Sequence, residues 1–290
     1  MAQIIWGTEL AAKIKIDLKA EMDKLRALNE RTPGLTVILV GDDPASISYV
    51  TNKQKACREV GMKGEIITYP ASVSEITLLA KIAELNQDER VDGILVQLPL
   101  PAGFDAQRIT EAIAVEKDVD GLHPLNIGRL QLNQECLVPC TPSGVIEILK
   151  SIGCDLRGKR AVVIGRSNLV GRPVAQLMLQ LDATVTVCHS KTPDLAAICA
   201  QADILVTAAG RPGLVTADFI KPGAVIIDVG TVRGQDGKLH GDVVFAEAEP
   251  LASYITPVPK GGGPMTVAML LKNTLKAYEM RKKDHGIWTE

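Results

Sequence analysis

Residues 161–173 read AVVIGRSNLVGRP, an apolar run that stops at a glycine, passes through two polar residues and a short spacer, and reaches a second glycine and a proline. That order is expected where a buried strand hands over to a dinucleotide-binding helix. Gly165 permits a sharp turn, Ser167 offers a hydroxyl to a phosphate, and Gly171 leaves the backbone open to close approach. The amides that open the following helix would face an anion. The segment departs from G-x-G-x-x-G, because Ser167 stands at the second glycine and the last glycine comes one residue late. Alone it points to a dinucleotide and to no particular reaction.

Outward from this turn the chain alternates. Further apolar runs at 184–188, 203–208 and 224–229, separated by helical or polar stretches, predict a doubly wound parallel sheet. Toward the N-terminus, an amphipathic helix from Thr8 to about Asn29 precedes a strand at 35–40 and a helix over 45–60. A strand near 65–69, a helix over 74–85 and a strand at 93–97 follow. The fold class expected is α/β: two open α/β domains, the C-terminal one of Rossmann type, with the active-site cleft between them. The boundary falls at Thr141-Pro142, where Thr141 would cap a helix. This gives a catalytic domain at 1–140 and a nucleotide-binding domain at 141–263. Residues 234–237 (GQDG) look like a hairpin tip, 256–263 a loop, and 264–290 a final helix assigned to the first domain.

Composition excludes several classes. Thirty-two basic against 34 acidic side chains, with no block of either sign, give no electrostatic surface for nucleic acid. Aromatics are only 3%, so the cores must be aliphatic, which suits parallel sheets. Apolar stretches are strand-sized and no signal peptide is visible, so a cytoplasmic protein without membrane contact is expected. The six cysteines form no C-x-x-C pair; Cys136 and Cys140 with His123 come nearest to a ligand set, and reduced, packed thiols with no metal are expected.

Several residues carry candidate chemistry. After the second strand of the nucleotide domain the chain reads His189-Ser190-Lys191-Thr192, with no carboxylate to hold a ribose hydroxyl. A hydroxyl and a cation there, joined by Arg166, suit a ribose 2′-phosphate, so NADP is favoured over NAD. The competing reading is a solvated Arg166 and a Thr192-Pro193 helix cap. Tyr49 and Lys53 share a helix face; a lysine beside a phenol in a desolvated pocket becomes a proton-transfer group, although spacing alone favours an ordinary surface pair. Gln97 ends the strand GILVQ. Asp118 and Asp120 lie in a turn-like KDVDG, where Asx bonding competes with acid–base work.

Taken together, Tyr49-Val50-x-x-Lys53, the run Gly93-Ile94-Leu95-Val96-Gln97-Leu98-Pro99-Leu100-Pro101, Lys117-Asp118-Val119-Asp120-Gly121, Pro139-Cys140-Thr141-Pro142, Gly165-Arg166-Ser167 with Gly171, and Gly263-Pro264-Met265-Thr266 resemble the bifunctional methylenetetrahydrofolate dehydrogenase/cyclohydrolase family along nearly the whole chain. The resemblance implies oxidation of 5,10-methylenetetrahydrofolate with NADP, then hydrolysis of the methenyl product to 10-formyltetrahydrofolate, a step of one-carbon metabolism that feeds purine biosynthesis. It implies Lys53 as the proton-transfer residue, Tyr49 to orient it and stack near the folate, Gln97 to hold it, and Asp120 to accept from pterin N–H groups. It adds Leu98, Pro99, Pro257, Gly262, Gly263 and Pro264 to the folate site. It also adds Arg172, Pro173, His189 and Thr231 to a cofactor set of Gly165, Arg166, Ser167, Gly171, Ser190 and Lys191, and it implies a homodimer. Two departures stand out: Lys260-Gly261-Gly262-Gly263 replaces the family's Gly-Gly-Val-Gly, and Trp6 replaces a common Asp. The alternatives are a dehydrogenase without cyclohydrolase activity and a nucleotide-sensing protein without turnover.

Overall fold

The computed structural model describes residues 1–284. Eleven strands are placed among them: β1 (Gln3–Ile4), β2 (Gly34–Val40), β3 (Lys63–Tyr69), β4 (Gly93–Val96), β5 (Arg160–Ile164), β6 (Thr184–Cys188), β7 (Ile204–Thr207), β8 (Val225–Asp228), β9 (Val232–Arg233), β10 (Leu239–His240) and β11 (Tyr254–Ile255). The chain divides into two compact units, one of Met1–Ala12 with Thr141–Thr266, the other of Lys13–Cys140 with the residues from Val267 onward.

The second of these units is built on a parallel three-stranded sheet of order β3-β2-β4. β2 reads GLTVILV and is buried at every position, as a central strand covered on both faces must be. Ile38, Val40, Leu78, Ile82, Ile94 and Ile109 form the core on one side. Helix α1 (Gly7–Ala27) precedes the sheet and α2 (Pro44–Val60) leaves β2. α2 starts where sequence chemistry dictates: Pro44 takes the first turn, Asp43 accepts from the Ser46 amide at 2.8 Å, and Gly61 at φ +87° ends the helix. α3 (Glu75–Gln87) is capped by Ser74, which accepts from the Thr77 amide at 3.1 Å.

Short helices α4 (Ala106–Glu111) and α5 (Pro124–Gln131) were not foreseen, since each spans too few turns for a periodic signal. α6 (Cys140–Ser151) begins one residue early, so Thr141 is not its cap; the Thr141 hydroxyl lies 2.9 Å from that of Thr266. The last helix runs Gly262–Asp284, and 285–290 lie outside the described residues. Asn273 donates to the Val119 and Val138 carbonyls at 2.9 and 2.8 Å, and Arg281 donates to Asp92 at 2.9 Å, which fixes the helix from Val267 onward in the three-stranded unit.

In the other unit, among the described residues, six parallel strands are ordered β1-β11-β8-β7-β5-β6. β5 has β6 on one side and β7 on the other, so the winding reverses there, and ligands bind at the carboxyl ends of strands beside such a switch point. The first twelve residues, expected in the catalytic domain, belong here instead because β1 extends the sheet alongside β11. A two-residue strand carries no periodic pattern, and its pairing is fixed only by the partner. β9 and β10 form an antiparallel hairpin around 234–237. All six cysteines are free thiols, five of them buried. No described helix is long and apolar enough to cross a membrane.

Candidate functional site

In the three-stranded unit, residues far apart in the chain converge on Lys53. α2 brings Lys53 in at 6% exposure, although its neighbour one turn back, Tyr49, remains 44% exposed. Lys53 Nζ donates to Gln97 Oε1 at 2.9 Å and lies 5.3 Å from the centre of the Tyr49 ring. Gln97 is oriented in turn, because its Nε2 donates to the Leu98 carbonyl at 2.6 Å. Its Oε1 therefore faces the ammonium. The Leu98–Pro99 peptide is cis.

Burial pushes the Lys53 ammonium below the usual lysine range, and Asp120 opposes that shift. Asp120 is half-buried, and burial raises its carboxyl, with Lys53 and the Cys140 thiol pulling the other way. Burial likewise raises the Tyr49 phenol, and Cys140 well above an ordinary thiol. The site thus favours a less charged lysine beside a carboxylate, a composition suited to moving a proton rather than holding a metal. No group of three metal-ligating side chains exists among the described residues.

The KDVDG turn separates into two roles. Lys117, 1% exposed, donates to the Leu85 and Asp88 carbonyls at 2.9 and 2.8 Å. Asp118, also 1% exposed, accepts from the His123 amide and the Asn126 side chain. Both tie the turn to the scaffold, and only Asp120 joins Lys53.

In the six-stranded unit the cofactor candidates gather at the carboxyl ends of β5 and β6. Ile164 pairs in register with Cys188, and the Gly165 amide donates to the Cys188 carbonyl at 2.9 Å. Arg166 and Ser190 therefore each stand two residues beyond paired positions of adjacent strands. Arg166, Ser190 and Lys191 are exposed. Gly165 has φ +123°, and a Cβ there would fall 2.3 Å from the Ala208 carbonyl oxygen; a Cβ on Gly171 would fall 2.1 Å from the Gly165 oxygen. The turn is as tight as a backbone cradle for a pyrophosphate requires, and its residues fit NADP.

Helix α7 (Gly171–Gln180) offers fewer amide donors than expected. The Arg172 amide is taken by the Ser167 carbonyl at 3.1 Å, and Pro173 has none. The Ser167 hydroxyl oxygen accepts from the Val170 amide at 3.2 Å, which leaves its proton to donate, and the Arg166 side chain is exposed nearby in the chain. Arg172 is engaged by Asn168 at 2.9 Å. Thr192 does not cap a helix: its hydroxyl accepts from the His189 amide at 2.9 Å, closing the turn that presents Ser190 and Lys191, with His189 Nδ1 accepting from the Lys191 amide. Thr231 is exposed beside the β9 hairpin. Pro257, Gly262, Gly263 and Pro264 belong to this unit.

A cavity of about 400 Å³ lined by Cys154, Lys159, Asp203 and Lys221 opens at the amino ends of β5, β7 and β8, the opposite end of the sheet from these loops, and contains none of the candidates. Sequence reasoning passed over Asp228 and Asp242, both buried below these loops. Their position next to glycines, in DVG and GDV, was the available signal.

Residues 5–120 match the catalytic-domain model of tetrahydrofolate dehydrogenase/cyclohydrolase, and 139–282 match its NAD(P)-binding-domain model. A bifunctional protein FolD of Geobacillus thermodenitrificans is 58% identical over 276 residues, covering 95% of this chain and 97% of that one. Its counterpart from Moorella thermoacetica is 53% identical over 95% of this chain and 98% of its own. Among solved structures, the bifunctional FolD enzyme of Campylobacter jejuni superposes with a TM-score of 0.94 at 48% identity, covering 97% of this chain and 100% of that one. The Trypanosoma brucei methylenetetrahydrofolate dehydrogenase-cyclohydrolase, complexed with NADP cofactor and inhibitor, gives 0.92 at 43% identity, covering 97% and 98%. Matched in both of its parts and aligned along nearly its whole length, the chain belongs to the tetrahydrofolate dehydrogenase/cyclohydrolase family.

Proposed function

We propose residue roles for the two activities that this family membership gives the chain. It is an NADP-dependent methylenetetrahydrofolate dehydrogenase and methenyltetrahydrofolate cyclohydrolase of one-carbon folate metabolism. The observation that carries the role of Lys53 is its nearly complete burial with Nζ 2.9 Å from a fixed amide oxygen of Gln97. Hydride loss places positive charge on the methenyl bridge, which further favours a neutral amine beside it. Lys53 then takes a proton from the attacking water and gives it to the leaving ring nitrogen as the C–N bond breaks, while the hydroxyl proton of the adduct leaves to solvent and the formyl C=O forms. Gln97 holds the amine, Tyr49 stacks near the folate, and Asp120 accepts from the pterin N–H groups.

Folate contacts are assigned also to Leu98, Pro99, Pro257, Gly262, Gly263 and Pro264. The cofactor supplies a nicotinamide that accepts the hydride from the bridge carbon. Gly165, Gly171 and Ser167 admit and bind its pyrophosphate, Arg166, Ser190 and Lys191 its 2′-phosphate, and His189, Arg172, Pro173 and Thr231 complete the rim. In this reading 13–140 with the last helix bind folate and 141–263 bind NADP.

A homodimer is supported by β6 standing at the edge of its sheet, with Val187 on it 39% exposed and Leu179 of α7 54% exposed. The soluble composition supports a cytoplasmic location. The decisive experiment supplies purified protein with methylenetetrahydrofolate and NADP, following NADPH and the methenyl species separately. Both activities are expected; methenyl accumulation without hydrolysis would reject the proton-transfer role of Lys53.

A further inference from the structure

Two buried carboxylates of the six-stranded unit stand apart from the roles above. Asp228 ends β8 at 3% exposure, and Asp242 lies two residues after β10 at 0%. Asp242 Oδ2 accepts from the amides of Ala209 at 2.6 Å and Gly210 at 3.3 Å, and its Oδ1 accepts from the Arg211 amide at 2.7 Å. Asp228 Oδ1 accepts from the Thr207 hydroxyl at 2.9 Å and from the amides of Gly230 at 2.9 Å and Asp242 at 3.2 Å. Its Oδ2 accepts from the Val243 amide at 2.9 Å, and its own amide donates to the Thr256 hydroxyl at 2.8 Å.

A buried carboxylate is costly unless donors surround it, and here the donors are backbone amides and one hydroxyl. The pair thereby gathers the segments that follow β7, β8, β10 and β11. For the strands of the parallel sheet these are carboxyl-end loops, on the same side as the Gly165 turn. Two glycines are imposed by the same carboxylates. A Cβ on Gly230 would fall 2.3 Å from Asp242 Cγ, and one on Gly241 would fall 2.1 Å from Asp228 Oδ2.

The connection to the phosphate turn is direct. Ala208 precedes the three amides that Asp242 holds; its own amide donates to the Ile164 carbonyl at 2.7 Å, and its carbonyl oxygen occupies the space that a Gly165 Cβ would need. A shift of 208–211 therefore moves the wall of the Gly165 turn. On the other side, Gly230 immediately precedes Thr231.

We propose that Asp242, braced by Asp228, is a positioning residue for NADP: it fixes segments 208–211 and 229–231 as the floor on which the cofactor lies. The inference rests on the reading of the Gly165 turn as the dinucleotide site. Asp242→Asn is the test, because an amide places a donor where one of three backbone donors must find an acceptor. NADP affinity should fall roughly tenfold or more. Hydrolysis of methenyltetrahydrofolate supplied directly needs no NADP and should stay within about twofold of the parent, which a general loss of fold would not allow.

Unchanged NADP affinity, or equal losses of NADP affinity and hydrolysis, would overturn the proposal. Thr207→Val is the milder second variant; it removes one donor to Asp228 at nearly constant shape and should weaken NADP roughly threefold. No change in NADP affinity there would count against Asp228 as the brace. An Arg166→Ala arm separates the two readings. If it weakens NADP and Asp242→Asn does not, only this inference fails; if neither does, the assignment of the dinucleotide site fails with it.

Discussion

Replacing Lys53 with glutamine should disconnect the two activities. Lys53 is 6% exposed, and its ammonium faces a neutral amide oxygen at 2.9 Å and an aromatic ring at 5.3 Å. Glutamine removes the group that exchanges a proton but keeps an amide donor for Gln97 Oε1, so the local hydrogen bonding survives. Loss of a positioned general acid–base group costs ~10²–10⁴ in rate, or about 3–5 kcal/mol of barrier. That loss belongs to hydrolysis. Hydride transfer depends mainly on placement of the bridge carbon and should slow by less than about tenfold. Stability should not suffer, because taking an ammonium out of a desolvated position relieves a burial penalty. The same change removes the lysine that holds the Asp120 carboxyl down, so Asp120 moves further up and folate binding weakens toward acid pH. With methylenetetrahydrofolate and NADP, NADPH should continue to form while the methenyl species accumulates. Hydrolysis within about threefold of the parent, or equal loss of both activities in a protein with unchanged melting, would refute the reasoning.

Two further tests address charge. Arg166→Ala with Ser190→Ala removes a cation and a hydroxyl from adjacent strand ends, and should weaken NADP roughly 10- to 100-fold with little effect on NAD; equal losses for both cofactors in binding titrations would remove the 2′-phosphate assignment. Asp118→Asn tests a buried carboxyl that burial pushes up from 3.8 to about 6. A raised carboxyl contributes stability that is present below pH 3.8 and lost as pH rises through about 6, a change of ~3 kcal/mol. Asp118 receives both His123 N and Asn126 Nδ2 on one oxygen, which an asparagine carbonyl reproduces without titrating. The variant should gain about that much on its parent between pH 4 and pH 7 in denaturant unfolding, and parallel pH curves would rule the account out.

The α/β alternation was legible because strands such as LTVILV and AVVI are buried on both faces and interrupted by glycine and proline turns. Pairings between remote segments were not legible. Nothing in Gln3–Ile4 announces a strand until Tyr254–Ile255 is beside it. Tyr49 and Lys53 at four-residue spacing look like a solvated pair. What changes them is the return of Gln97, Asp120 and Cys140 to the same spot from 44, 67 and 87 residues downstream of Lys53. Asp228 and Asp242 were missed for a related reason, since a carboxylate satisfied by backbone amides leaves no charged partner in the sequence to suggest it.

The departures at the 256–263 segment meet a departure at the N-terminus. Lys260 adopts φ +83°, a conformation in which a side chain costs about 1–2 kcal/mol, and its ammonium lies 5.8 Å from the Trp6 ring centre. A cation–π contact of about 0.5–1 kcal/mol offsets part of that cost, so the two unusual residues support each other. The Lys260 carbonyl also accepts from the Thr8 amide at 3.2 Å. Gly261 and Gly262, adjacent in the chain, should then respond oppositely to alanine. A Cβ on Gly261 would fall 2.4 Å from the Pro257 oxygen, and a Cβ on Gly7 would fall 1.8 Å from the Gly261 oxygen. Gly262, placed by the sequence in the 256–263 loop, is instead the first residue of the last helix; a Cβ there would meet Asp228 O at 3.7 Å and Val229 at 3.9 Å, ordinary contacts. Gly262→Ala should therefore stabilise the protein by about 0.4–1 kcal/mol, chiefly by restricting the unfolded chain. Gly261→Ala should destabilise it by more than that, because two backbones must separate. Urea unfolding of both variants measures the pair. A loss of stability in Gly262→Ala would mean that the start of this helix depends on backbone freedom that its neighbours do not require.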